Sequence, residues 1–260
     1  MVNVKKKKSN YLYFVILLTF IGITGCSSNF KKINQTDTAL FNINNSYNPD
    51  NEIEHYITPY RNHIAKDMDS ILAYNPITQD KSIGKWQTNI GNLFATSTLE
   101  LCNPIFNSRT NKNIDFCLLN HGGIRAIIPK GNVTTRTAYN IMPFENSIIV
   151  IGLSGNQVYK LTSYLLADRK PHPLAGIKIY INKDETEVLN IEIGNKPIER
   201  DKTYYVATSD YLANGGDNMT FFKESDVRYD LDYKLRRLLL DYFSKKDTIP
   251  NITTQQIIIK

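Results

Sequence analysis

No apolar run in this chain is long enough to cross a bilayer as a helix. The most apolar stretch, Tyr11 to Ile23, holds about 13 residues, against the roughly 20 that a spanning helix needs. With Lys5, Lys6, Lys7 and Lys8 before it, this stretch has the charged and apolar regions of a secretory signal. A basic excess is missing too, once that leader is set aside. Of the 31 basic residues, four lie in it, which leaves a formal charge of about +2 against the 25 acidic residues. No basic stripe remains for nucleic acid, which is therefore not an expected partner. Cysteine is scarce: beyond Cys26 there are only Cys102 and Cys117, and neither lies beside a histidine in a nucleophile pattern. Export would permit a disulfide between them, and two buried thiols are an equal alternative. Histidine is limited to His55, His63, His121 and His172.

The leader ends in Ile23-Thr24-Gly25-Cys26, which resembles a bacterial lipobox: an aliphatic residue, two small ones, then the cysteine acylated after cleavage. The resemblance implies a signal peptide over 1–25, lipidation (palmitate) at Cys26 and an exported, membrane-anchored lipoprotein on the periplasmic face or cell surface. An ordinary signal peptide with an incidental cysteine is the competing reading. Residues 26–50, rich in Asn, Ser, Thr and Lys, read as a flexible tether. A single domain is expected over 51–245, with 246–260 as a tail of open state.

Within the domain, Ile53, Ile57, Tyr60, Ile64, Met68, Ile71 and Leu72 fall at helical spacing and are expected to pack into the core. Thr88 or Asn89 is placed to cap a second helix whose buried face is Ile90, Leu93, Phe94, Leu99 and Leu101. A turn is expected at Gly131–Thr134, a short helix from about Thr135 to Ile141, a strand over Ser147–Leu153 and a helix from Ser154 through Leu166. Strands follow at Ile177–Ile181, Val188–Ile193 and Tyr204–Ser209, then a last helix carrying Leu231, Leu235, Leu238, Leu239 and Tyr242. The irregular interleaving predicts an α+β domain, with a mixed β-sheet and packed helices.

Three motifs carry chemistry. An apolar strand, Phe116–Leu119, runs into Asn120-His121-Gly122-Gly123-Ile124-Arg125, where the Gly pair lets the chain turn or a ligand approach the backbone. Pro143-Phe144-Glu145-Asn146 places an aromatic just ahead of another strand, and Tyr211-Leu212-Ala213-Asn214-Gly215-Gly216-Asp217 sets an aromatic and a carboxylate around a second Gly pair. In this order they resemble the C-terminal, substrate-recognition domain of the 5'-nucleotidase family, over roughly residues 50 to 245. The segment Gly91-Asn92-Leu93 resembles that family as well. The resemblance implies a nucleotide or nucleoside site made by Asn120, Gly122, Gly123, Arg125, Phe144, Asn146, Tyr211, Gly215, Gly216 and Asp217. Phe144 and Tyr211 would stack on the two faces of a base. Asn120 and Asn146 would read base edges, Arg125 would meet phosphate or ribose oxygens, and Asp217 would accept from ribose hydroxyls.

Two departures qualify the resemblance. His121 stands where the family has the first Gly of three, and is expected to narrow the pocket or touch the ligand. Lys85-Trp86 stands where some members carry a ligand-reaching arginine; Trp86 is read as packing, with a place near the ligand mouth as the alternative. Full-length members also carry a metallophosphatase domain with Asp-x-His, Gly-Asn-His and His-x-His patterns, none of which occurs here. No residue of the sequence is therefore expected to be catalytic or to ligate a metal. Divalent metals are expected only in a partner metallophosphatase chain, the two together making a nucleotidase. The alternative is a non-catalytic nucleotide-binding surface lipoprotein, and a degenerate surface protein without ligand is a third reading.

Overall fold

A computed structural model describes residues 11–18, 38–44 and 46–260. Cys26 and most of the expected signal and tether lie outside the described residues. Residues 11–18 are helical, and no helix among the described residues is long and apolar enough to cross a membrane. The chain divides into two units, Met1–Ile53 and Glu54–Lys260, and the second holds every strand.

The α+β expectation holds, with a mixed five-stranded sheet at the centre. Its order is β10 (Arg228–Lys234), β4 (Ser147–Ser154), β9 (Thr203–Ser209), β2 (Phe116–Leu118) and β5 (Leu174–Ala175). Only β9 and β2 run parallel; the other neighbours are antiparallel. Side chains alternate across it with period two. Ile148 and Val150 face one core with Cys117, while Ile149, Ile151 and Leu153 face the other with Phe116 and Leu118. Burial on both faces explains why these strands read as unbroken apolar runs.

The first face is covered by α2 (Asn89–Thr110) and α6 (Leu235–Ser244), the second by α4 (Gly155–Asp168). Packed against that second core is another sheet, ordered β11 (Ile257–Ile259), β6 (Ile177–Ile181), β7 (Val188–Ile193), β8 (Lys196–Pro197). Caps fix the helix starts: Thr88 Oγ1 accepts from Gly91 N–H at 3.0 Å, and Ser154 and Gln157 form a reciprocal capping box. Cys102 and Cys117 are free and buried in the first core, and burial pushes the Cys102 thiol up to about 12.

Four sequence expectations change. The helix α1 (Asn51–Met68) forms, yet none of its residues is buried, and Ile53, Tyr60 and Ile64 are each about 60% exposed. An apolar stripe gives a helix its period, but here the stripe is not sealed into a core. Ile71 and Leu72 leave the helix for β1 (Ile71–Asn75), which pairs with β3 (Gly131–Thr134), the segment expected as a turn. Leu231 belongs to β10 rather than to the last helix. Trp86 is buried in the second core. Residues 246–260 are built into the domain: Ile249 is fully buried and β11 lies parallel to β6. Asn92 Nδ2 donates to the carbonyls of Ile252 and Thr254, and Gln87 Oε1 accepts from the N–H groups of Gln256 and Ile257.

Candidate functional site

Parallel pairing of β2 with β9 brings their carboxyl ends to one edge of the central sheet. The start of antiparallel β4 reaches the same edge, since Ile148 pairs with Ser209. The three motif loops therefore meet, although about ninety residues of sequence separate the first from the last. They enclose a cavity of about 500 Å³ lined by Asn120, Gly122, Gly123, Arg125, Phe144, Glu145, Asn146, Tyr211 and Asp217. Eight of the ten sequence-predicted residues lie on its wall; Gly215 and Gly216 stand behind it. Such clefts beyond strand ends are where open α/β sheets hold ligands.

The Asn120 wall is a 3-10 turn, His121–Gly123, closed by Gly123 N–H to Asn120 O at 3.1 Å. A Cβ on Gly123 would stand 2.9 Å from Asn120 Oδ1, so the Asn120 side chain lies directly over the turn. Arg125 N–H donates to Ile141 O, at the end of α3 (Thr135–Ile141), while its guanidinium lies 5.7 Å from the centre of the Phe144 ring. Lys81, which nothing in the sequence singled out, donates from Nζ to Ile124 O at 2.6 Å. Burial first, then the nearby Arg125 charge, draws its pKa down, so a second cation stands close to the one on the wall.

His121 is not among the lining residues, against the expectation that it would narrow the cavity. Its backbone N–H donates to His172 Nδ1 at 3.2 Å, and His172 Nε2 meets Asp168 Oδ2 at 2.8 Å. Because a carboxylate only accepts, Nε2 carries the proton and Nδ1 is the bare acceptor. Burial lowers the His172 pKa, against the Asp168 hydrogen bond that raises it.

Phe144 and Tyr211 are 40% and 44% exposed, so neither ring is a core residue. Arg236, on α6, supports the Phe144 loop from below. It pairs with Glu145, donates to Met142 O and lies 4.2 Å from the Tyr139 ring centre. Glu145 is a lining residue the sequence reading missed; only its place between Phe144 and Asn146 could have suggested it.

The third wall is tied to itself. Tyr211 begins the turn that follows Asp210 at the start of α5 (Asp210–Ala213), and its hydroxyl donates to Asp217 Oδ1 at 2.8 Å. That bond, first among several causes, raises the Tyr211 pKa. Asp217 N–H returns a bond to the Tyr211 hydroxyl, and Tyr164 donates to the Asp217 carbonyl at 2.6 Å. The second Gly pair serves this arrangement: a Cβ on Gly216 would come within 2.5 Å of the Tyr211 ring. No cluster of three or more His, Cys, Asp or Glu able to hold a metal ion occurs among the described residues.

The family model for the 5'-nucleotidase, C-terminal domain, matches residues 72–224. The trifunctional nucleotide phosphoesterase protein YfkN of Bacillus subtilis is 27% identical over 235 residues, 82% of this chain and 16% of that protein. A 5'-nucleotidase of Vibrio parahaemolyticus is 31% identical over 137 residues, 50% of this chain and 22% of that protein. The crystal structure of the 5'-nucleotidase precursor from Thermus thermophilus superposes with a TM-score of 0.67 at 22% identity, covering 79% of this chain and 42% of that one. The chain thus spans less than half of each of these relatives. The match extends from β1 through all three cavity loops, and by it the chain belongs to the family of 5'-nucleotidase C-terminal domains.

Proposed function

We propose that this domain recognises a nucleoside or nucleotide, as the specificity half of a 5'-nucleotidase-type hydrolase. The observation that supports it is the cavity at the strand ends, which carries two half-exposed aromatic rings, an arginine and an aspartate together. Rings of this kind stack on any base because every base has a π-face. The Arg125 guanidinium, with Lys81 behind it, suits the phosphate or ribose end, and Asp217 keeps Oδ2 for a hydroxyl while Tyr211 occupies Oδ1. The proposed catalytic partner is a metallophosphatase unit, which residues 1–260 do not contain and which we place on a separate chain holding the divalent metals. We further propose export and anchoring through Cys26 on the lipobox pattern, since two acyl chains give the stable attachment that one does not.

Calorimetry of the full chain with adenosine, AMP and ribose 5-phosphate tests the site. Adenosine and AMP are expected to bind, and ribose 5-phosphate to bind far more weakly. Phe144→Ala and Tyr211→Ala are each expected to cost about 1–3 kcal/mol, about 5- to 150-fold in Kd. Unchanged affinity in both variants, with melting curves intact, would remove the nucleotide site from the cavity.

A further inference from the structure

The side-chain amide of Asn146, a residue of the cavity wall, is held in one orientation by a residue that does not line the cavity. Its Nδ2 donates to Asp210 Oδ1 at 2.8 Å, and the same oxygen accepts the Tyr211 backbone N–H at 2.7 Å. Asp210 thereby joins the loop carrying Phe144 to the turn carrying Tyr211, across 64 residues of sequence. An asparagine whose neighbours both donate and accept can exchange its oxygen and nitrogen by a half-turn, and so serve opposite ligand patterns. Asn146 cannot. Turning it over would set Oδ1 against the Asp210 carboxylate, with two acceptors facing and no proton between them.

We propose that Asp210 is a positioning residue that sets base preference, by fixing Asn146 Oδ1 as a permanent acceptor at the base edge. The inference rests on the nucleotide-site reading above and narrows it. The Glu145 carboxylate, also on the cavity wall, adds acceptor character beside Asn146. A base that brings an exocyclic amino group to this edge finds an acceptor waiting. One that brings a carbonyl oxygen to the same place faces an oxygen, and the locked amide cannot turn to offer an N–H. The favoured substrates are thus amino-bearing bases, adenine first, over their oxo counterparts. A site built to take a hydrogen bond discriminates this way because the mismatched ligand leaves polar groups unpaired.

The test compares adenosine with inosine, which differ at C6 by amino against oxo, on the full chain by calorimetry. Wild type is expected to bind adenosine about 10-fold tighter. In Asp210→Ala the amide is free to turn, and the ratio is expected to fall to about 2-fold or less, chiefly through better inosine binding. Asp210→Asn keeps an oxygen where both bonds end, and is expected to retain most of the preference. A purely structural role for Asp210 would weaken both ligands equally and leave the ratio alone; that result overturns the proposal, as does equal binding of the two nucleosides by wild type. If Asp210→Ala does not fold, Asp210→Ser, which keeps a hydroxyl able to donate or accept, takes its place with the same expected collapse. Binding of neither nucleoside by wild type would sink the nucleotide site itself, and this inference with it.

Discussion

The two Gly-bearing walls of the cavity are built in opposite ways. The Asn120–Arg125 turn is held by its backbone, from behind: bonds run to His172, to Ile141 and from Lys81, while Arg125 contributes only a ring contact with Phe144. The Asn120 and Arg125 side chains face the cavity without being what holds the turn. The Tyr211–Asp217 wall is held by its side chains, which bond to one another and rest on Gly216. One wall can adapt to a ligand; the other is a preformed plate. Pre-organisation lowers the ordering cost of binding, so the plate should fix ligand position and the turn should adjust to it.

The same substitution in both walls gives the sharpest contrast. Gly216→Ala drives a Cβ into the Tyr211 ring, which cannot yield without breaking its bond to Asp217. Nucleoside affinity is expected to fall by about 100-fold, the sum of a lost stack and a lost hydrogen bond. Gly123→Ala meets the end of the Asn120 side chain, which can swing, and is expected to cost about 10-fold or less. Equal losses measured by calorimetry would show that the walls do not differ in stiffness.

Removing the Arg125 charge sharpens the comparison at an intermediate size. Arg125→Ala is expected to weaken AMP by about 1–2 kcal/mol at low salt, and by less as salt rises, while adenosine changes little. A loss that is the same for both ligands at every ionic strength would mean that Arg125 acts on the ribose or the base.

The smallest expected effect is on acid stability, and it strikes the backbone-held wall alone. His172 has a folded pKa below its usual 6.5 and accepts from His121 N–H, so the folded form binds fewer protons than the unfolded form in mild acid. Stability should therefore decline as pH drops through 6.5 and level off below the folded pKa. Asp168, Asp217, Lys170 and Tyr164 surround the ring, and Lys81 faces His121. The Asp168 carboxyl, held below its ordinary value against its own burial by His172 and Lys170, adds a second loss at lower pH. Urea melts of His172→Asn should show a shallower first decline, with the lowered pKa of His121 leaving the remainder, and a smaller second one, since Asp168 loses one of its two partners.

Much of this was legible from the chain because local and global signals agree. Val188–Ile193 and Thr135–Ile141 appear within the bounds that periodicity gives, since alternation or capping marks both ends. The motif residues were legible because their types and order are unusual together. What escaped has no local signal. Lys81 is an ordinary loop lysine until folding sets it under Ile124, and Asp210 reads as a first-turn helix residue until Asn146 arrives. β10 misled for another reason: Leu231 and Leu235 stand four apart, a helical spacing, but an edge strand with charged outer positions ends between them. For α1, periodicity names a face without saying whether anything covers it.

The strand at 257–259 has a consequence for solubility. β6, Ile177-Lys178-Ile179-Tyr180-Ile181, is a β-rich apolar segment whose outer edge is paired, among the described residues, by β11, which leaves the ribosome after the other described strands. Until those residues arrive, β6 offers unpaired backbone groups beside three isoleucines, a template for joining another unfinished copy. Chains stopped before Ile257 should accumulate in inclusion bodies rather than merely lose affinity. The three-residue pairing of β11 with β6 thus acts as a molecular stopper, keeping the sheet from growing from one molecule into the next.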